Sequence, residues 1–197
     1  MQTDAVLDHF RKTGAMLEGH FELSSGLHSD RYFQCALVLS RPRRAEELAR
    51  AFAERLKTEV DVVVGPAMGA VVWAQEVGRA LDRRAMFTER SGGEMTLRRG
   101  FGFEPGERCL VVEDVLTTGG SAREAIEVVR AHGGVPVAIG SMINRSGGNP
   151  FEDEGLPLTC LAEVEVQVFE PAECPLCSAG GAPVKPGSRT ALAGGGA

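Results

Sequence analysis

The run Cys109-Leu110-Val111-Val112-Glu113-Asp114-Val115-Leu116-Thr117-Thr118-Gly119-Gly120-Ser121 decides the fold of this chain. It opens on four apolar residues, the length of a short buried strand. Two adjacent acids follow, then a turn of small residues. Beyond it, 121–132 reads as a helix: Ala122, Ala125, Ile126 and Val129 make an apolar stripe, and Gly133-Gly134 ends it. A parallel strand whose terminal turn feeds a helix N-terminus is a ready anion site, since free backbone N–H groups and the helix dipole point outward there. Gly119 and Gly120 let the backbone approach a ligand closely, and Thr117, Thr118 and Ser121 offer hydroxyl donors. Glu113 and Asp114 would repel a phosphate aimed at them. They make sense facing a sugar, accepting hydrogen bonds from vicinal hydroxyls and stabilising positive charge that develops on it. The turn lacks the Gly-Lys-Ser/Thr ending of the nucleoside triphosphate loop, and it is not the three-glycine dinucleotide fingerprint.

Outward from this turn, strands and helices alternate. Helical patterns run from Pro42 to Leu56 and over 69–81, and short apolar runs at 60–64, 84–88, 135–144 and 158–168 read as strands. Alternation over 42–144 predicts an α/β fold: a parallel sheet with helices on both faces and right-handed crossovers. Before it, 4–12 reads as a short amphipathic helix. The segments 20–23 and 31–39 read as strands about the turn Ser24-Ser25-Gly26. The segment 91–107, rich in glycine and charge, reads as a long loop or flexible hairpin, a feature that is usually functional in a compact domain. The expected organisation is a small N-terminal hood over 1–40, a core over 41–170 and a tail over 171–197, with 193–197 disordered.

The chain has 197 residues and a net charge of −6. That charge disfavours broad nucleic-acid binding, no apolar run approaches a membrane span, and no basic segment precedes an apolar one at the start as in a secretory signal. Cys35, Cys109, Cys160, Cys174 and Cys177 are odd in number, and three lie in apolar runs, which suggests a reducing cytoplasmic setting rather than a disulfide framework. Cys174-x-x-Cys177 is half of a zinc knuckle. A structural zinc needs four ligands, and the nearest further cysteine, Cys160, lies across an expected strand, so a metal-free turn is expected. His9, His20, His28 and His132 are scattered and read as structural or surface residues.

The string from Cys109 to Ser121 resembles the signature by which type I phosphoribosyltransferases bind 5-phosphoribosyl-1-diphosphate (PRPP). Most of the chain resembles the orotate-specific members. Gly19-His20-Phe21-Glu22-Leu23-Ser24-Ser25-Gly26, with Ser29 and Tyr32-Phe33-Gln34, is similar to their substrate hood. Gly65-Pro66-Ala67-Met68-Gly69 is similar to their pyrophosphate loop. Met95 to Phe101 and Cys174 to Arg189 resemble one bacterial subgroup. The resemblance implies that Glu113, Asp114, Val115, Leu116, Thr117, Thr118, Gly119, Gly120 and Ser121 hold PRPP. Within them, Thr117 to Ser121 take the 5-phosphate, and Glu113 with Asp114 the ribose hydroxyls. Arg145 would pair with the orotate carboxylate, Tyr32 and Phe33 would flank its ring, and Thr117 would approach it. The chain lacks the lysines and loop histidine of the better-known branch. Arg90 matches a loop arginine of the family, and Arg98 and Arg99 are candidates to replace the missing cations; Arg83 and Arg84 read as structural. The resemblance further implies a homodimer, small-molecule partners alone, and a Mg2+ ion on pyrophosphate and ribose oxygens with no dedicated ligand cluster. Two other readings share the turn. A purine phosphoribosyltransferase would need a different hood, against which Tyr32-Phe33 and Arg145 argue. A PRPP-sensing regulator would need an added basic DNA-binding module, for which the first forty residues are too short and too little basic.

Overall fold

A computed structural model describes residues 1–23 and 26–186. The turn expected at Ser24-Ser25 and the disorder expected over 193–197 lie outside the described residues. The larger of two sheets is built from β3 (Val62–Pro66), β4 (Arg84–Ser91), β5 (Glu94–Leu97), β6 (Arg108–Leu116), β7 (Val135–Asn144) and β8 (Leu158–Glu163), in the order β5-β4-β3-β6-β7-β8. All neighbours pair in parallel except β4 with β5, which are antiparallel. The expected parallel α/β sheet is present.

Alternation along the central strands divides the core. Val63, Leu110 and Val112 face one side, packed with α1 (Thr3–Lys12), α3 (Pro42–Arg55) and α4 (Gly69–Leu81). Val62, Val64, Cys109 and Val111 face the other, under α5 (Gly120–Ala131). Strands covered on both faces must be apolar throughout, which is why β3 and β6 read as unbroken apolar runs. A smaller sheet joins β1 (Met16–Glu22), β2 (His28–Phe33) and β9 (Val168–Phe169) in the order β1-β2-β9.

Two expectations are corrected, and a third is decided between its alternatives. The run over 31–39 is not one strand. Strand β2 stops at Phe33, and α2 (Cys35–Leu39) follows, burying Cys35, Val38 and Leu39 at the spacing of a helical face. The strand over 158–168 divides in two: β8 stays in the large sheet, and β9 crosses to pair with β2. The segment after Ser91 is a hairpin. Gly92 and Gly93, at φ +63° and +94°, form its two-residue turn between the paired Ser91 and Glu94. Positive φ at both central residues matches the twist of the flanking strands.

Candidate functional site

The chain runs from β3 outward to β4 on one side, then returns to place β6 on the other. The topological switch therefore lies between β3 and β6, and a crevice opens at their carboxyl ends. Two of the segments singled out above end there. Strand β3 delivers Gly65-Pro66-Ala67-Met68 to the start of α4. Strand β6 pairs with β3 only as far as Val111 and continues to Leu116, so Glu113 and Asp114 overhang the crevice.

The fit around Asp114 is close. A Cβ on Gly69, the first residue of α4, would lie 2.9 Å from its Oδ2 and 3.0 Å from its Oδ1. The Val115 N–H donates to Oδ1 at 2.9 Å, and the buried Cys35 thiol donates to the same carboxylate. Burial nonetheless pushes the Asp114 carboxyl above its ordinary value. Burial, and then the charge of Asp114, push Glu113 up to about 8. Two carboxyls are thus held where ionisation is costly until a partner arrives.

The turn that follows is open. Thr117, Thr118, Gly120 and Ser121 are exposed, and α5 begins with neither a side-chain cap nor an acid in its first turn. Its N-terminal dipole is left for an outside anion. Gly119 has φ +79°, and a Cβ there would meet Phe151 Cζ at 2.7 Å. The turn therefore rests on a buried aromatic ring contributed by the loop after β7.

The opposite wall comes from the small sheet and the end of β7. The Arg145 N–H donates to Leu116 O at 2.8 Å, which fixes Arg145 beside the acid strand. Its Nη2 lies 3.5 Å from Ser29 Oγ, and its Nε is buried without a hydrogen-bond partner among the described residues. Burial lowers the guanidinium's proton affinity, against the pull of Asp30 and Tyr32. Tyr32 is pushed up by burial, then by the charge of Asp114, while Arg145 acts the other way. Tyr32, Arg145 and Asp114 thus share one field. Phe33 does not join them. It is buried in the core, edge-on to Phe10 with ring centroids 5.7 Å apart. Adjacent strand residues face opposite ways, so Tyr32 and Phe33 cannot both flank one ring from β2.

The loop arginines are held by acids. Arg99 forks onto Glu89 at 2.9 and 3.0 Å, and Arg98 lies 4.0 Å from the same carboxylate. Arg90 pairs at 2.6 Å with Glu124, which is within the first turns of α5 and so ties the hairpin to the helix behind the phosphate turn. Arg83 and Arg84 are structural, as expected: Arg83 Nε donates to Val60 O, and Arg84 grips Glu107 at the base of the hairpin segment. Sequence reasoning missed Cys35, which hydrogen-bonds Asp114, and the closeness of Gly69 to the same carboxylate. Cys35 lies in no quoted motif, and Gly69 closes the quoted pyrophosphate-loop segment without its place against the acid being foreseen.

Residues 37–172 match the family described as "Phosphoribosyl transferase domain". An orotate phosphoribosyltransferase of Pelotomaculum thermopropionicum is 52% identical over 190 residues, covering 96% of this chain and 99% of its own. That of Heliobacterium modesticaldum is 52% identical over 193 residues, covering 96% and 100%. Among solved structures, the orotate phosphoribosyltransferase of Aeropyrum pernix superposes with a TM-score of 0.68 at 26% identity, over 81% of this chain and 93% of that one. The Mycobacterium tuberculosis enzyme, in complex with inorganic phosphate, gives 0.65 at 27%, over 81% and 94%.

Proposed function

Since this chain belongs to the phosphoribosyl transferase family, we propose that it transfers the 5-phosphoribosyl group of PRPP to orotate, forming orotidine 5′-monophosphate and pyrophosphate in pyrimidine biosynthesis. The observation that carries the choice of orotate is Arg145, whose buried Nε has no hydrogen-bond partner among the described residues. A planar guanidinium with a free edge takes a carboxylate. Orotate has one, and the purine bases and uracil do not.

The 5-phosphate sits on the open start of α5, held by the N–H groups and hydroxyls of Thr117 to Ser121. Glu113 and Asp114 accept the ribose hydroxyls. Orotate N1 forms a bond to the anomeric carbon as the C–O bond to pyrophosphate breaks; the electron pair of that bond leaves with the pyrophosphate, and the N1 proton is released to water. Positive charge grows on the sugar between these events, and the carboxylate of Asp114 faces it. That attraction is larger in the transition state than in the ground state, so it raises kcat. Tyr32 and Arg145 set the plane and direction of the base, which is positioning rather than covalent chemistry. Arg90, Arg98 and Arg99 are the cations available to the leaving pyrophosphate, once exchanged from Glu124 and Glu89.

Glu113 and Asp114 offer hard carboxylate oxygens but no full cage, which fits Mg2+, an ion that keeps waters and substrate oxygens. When bound, it neutralises charge on the pyrophosphate. We read the protein as a cytoplasmic homodimer. Among the described residues, no helix is long and apolar enough to cross a membrane.

The test is PRPP consumption with orotate, uracil, adenine, guanine and xanthine in parallel. Orotate alone should support turnover. Turnover with a purine alone would overturn the assignment, and none at all would favour a PRPP-sensing regulator.

A further inference from the structure

The half-knuckle Cys174-x-x-Cys177 is completed by residues far away in the sequence. His20 lies on β1 and His28 opens β2. The two cysteines flank the start of α6 (Pro175–Ser178) in the tail. One ligand atom from each of His20, His28, Cys174 and Cys177 falls in a group whose members all lie within 4.8 Å of one another. His20 Nε2 is 3.0 Å from His28 Nδ1, 3.5 Å from Cys174 Sγ and 3.7 Å from Cys177 Sγ, and Cys177 Sγ is 3.3 Å from His28 Nδ1. Zinc bonds of about 2.0–2.1 Å to nitrogen and about 2.3 Å to sulfur define a tetrahedron. Its edges are about 3.3 Å between nitrogens and about 3.6 Å from nitrogen to sulfur. The four spacings above are those edges to within a few tenths of an ångström, and the other two pairs lie within 4.8 Å. The expectation of a metal-free turn rested on a missing third and fourth ligand, and the fold supplies both as histidines.

A second observation fixes the chemistry of one ligand. His20 Nδ1 lies 2.9 Å from Gly181 O. A carbonyl only accepts, so Nδ1 carries the proton and Nε2 turns its lone pair to the cluster. A backbone carbonyl holding the far nitrogen of an imidazole is the usual outer support of a metal-bound histidine.

We propose that His20, His28, Cys174 and Cys177 bind one structural Zn2+. With four protein ligands the ion has no open position for substrate. It pins the tail to the β1–β2 hairpin, beside contacts that already join them: Val184 N–H donates to His20 O at 2.8 Å, and Lys185 pairs with Glu22 at 2.6 Å. Ser29, next to His28, reaches Arg145. The ion therefore steadies the hood from outside the site.

Untagged protein would be purified without chelator and its metal measured by mass spectrometry. We expect about one zinc per chain, and a Cys174→Ser/Cys177→Ser variant should hold less than about a tenth of that. Replacement of Zn2+ by Co2+ should give the visible absorption of a tetrahedral thiolate complex, a readout independent of activity and of the variant's folding. Chelation should lower the melting temperature by about 5 °C or more. Protein that stays zinc-free after exposure to Zn2+, an octahedral Co2+ spectrum, or a Cys174–Cys177 disulfide in freshly isolated protein would each overturn the proposal. None of these outcomes bears on whether orotate is the substrate.

Discussion

Burial of the Glu113 carboxyl has a consequence that can be measured. In the folded chain it titrates at about 8, against an ordinary 4.5, through burial first and Asp114 second. Each factor of ten in proton affinity is about 1.4 kcal/mol, so keeping this group ionised costs the fold at most ~5 kcal/mol. Water entering the open crevice, and coupling to Asp114, bring the working figure to ~2 kcal/mol. The sign follows from linkage. Between 4.5 and about 8 the folded chain holds a proton that the unfolded chain has released, so stability falls as pH rises through that window. Below it both states are protonated, and above it the whole cost is in place. Glu113→Gln cannot ionise and escapes the cost. In ligand-free protein the variant should match wild type at about pH 4.5 and exceed it by ~2 kcal/mol at about pH 9. A gain of that size is roughly 4–8 °C in melting temperature. Urea or thermal melts at several pH values, with both substrates absent, measure it. The same variant should lose most of its turnover. A stability difference that stays constant across the pH range, or that favours wild type at high pH, would refute the burial argument.

Arg145→Ala should raise the KM for orotate by about thirtyfold or more, since loss of a desolvated ionic partner costs ~2–5 kcal/mol. The KM for PRPP should move far less, and equal shifts in steady-state kinetics would remove Arg145 from the base pocket. Gly119→Ala places a Cβ 2.7 Å from Phe151 Cζ at φ +79°. The left-handed backbone alone costs ~1–2 kcal/mol, so PRPP binding by calorimetry should weaken at least about tenfold, and Phe151→Leu should restore part of it. Subunits carrying Arg90→Ala, Arg98→Ala and Arg99→Ala, refolded with Asp114→Asn subunits, should recover about a quarter of wild-type activity if each loop serves its partner's site. Recovery near zero, with subunit exchange confirmed by mass spectrometry, would return the loop to its own subunit.

Much of the site was legible because local chemistry and fold agree along 109–132. The strand, the acids, the positive-φ glycine and the uncapped helix are all consecutive there, and the structure changes only their ends. The failures share a different character. The run Cys35-Ala36-Leu37-Val38-Leu39 satisfies strand and helix equally, and only its packing decides. Strand β9 has two residues and exists because β2 offers an edge. Tyr32 and Phe33 look alike in sequence, yet the pleat sends one to the crevice and the other to Phe10. The four residues around His20 gather from β1, β2 and the tail, so no local spacing announces them.

The division of labour between the two sheets has an evolutionary consequence. The residues proposed to hold the ribose and the 5-phosphate all follow from β6, an interior strand hydrogen-bonded on both sides. Of the residues proposed for the base, Tyr32 belongs to the three-stranded sheet, Arg145 follows β7, and Thr117 lies in the turn after β6. A lineage can therefore trade one acceptor base for another by rebuilding a peripheral hairpin and a single side chain, leaving the phosphoribosyl machinery untouched. A change at Gly69, Asp114 or Gly119, by contrast, would be felt whichever base is the acceptor.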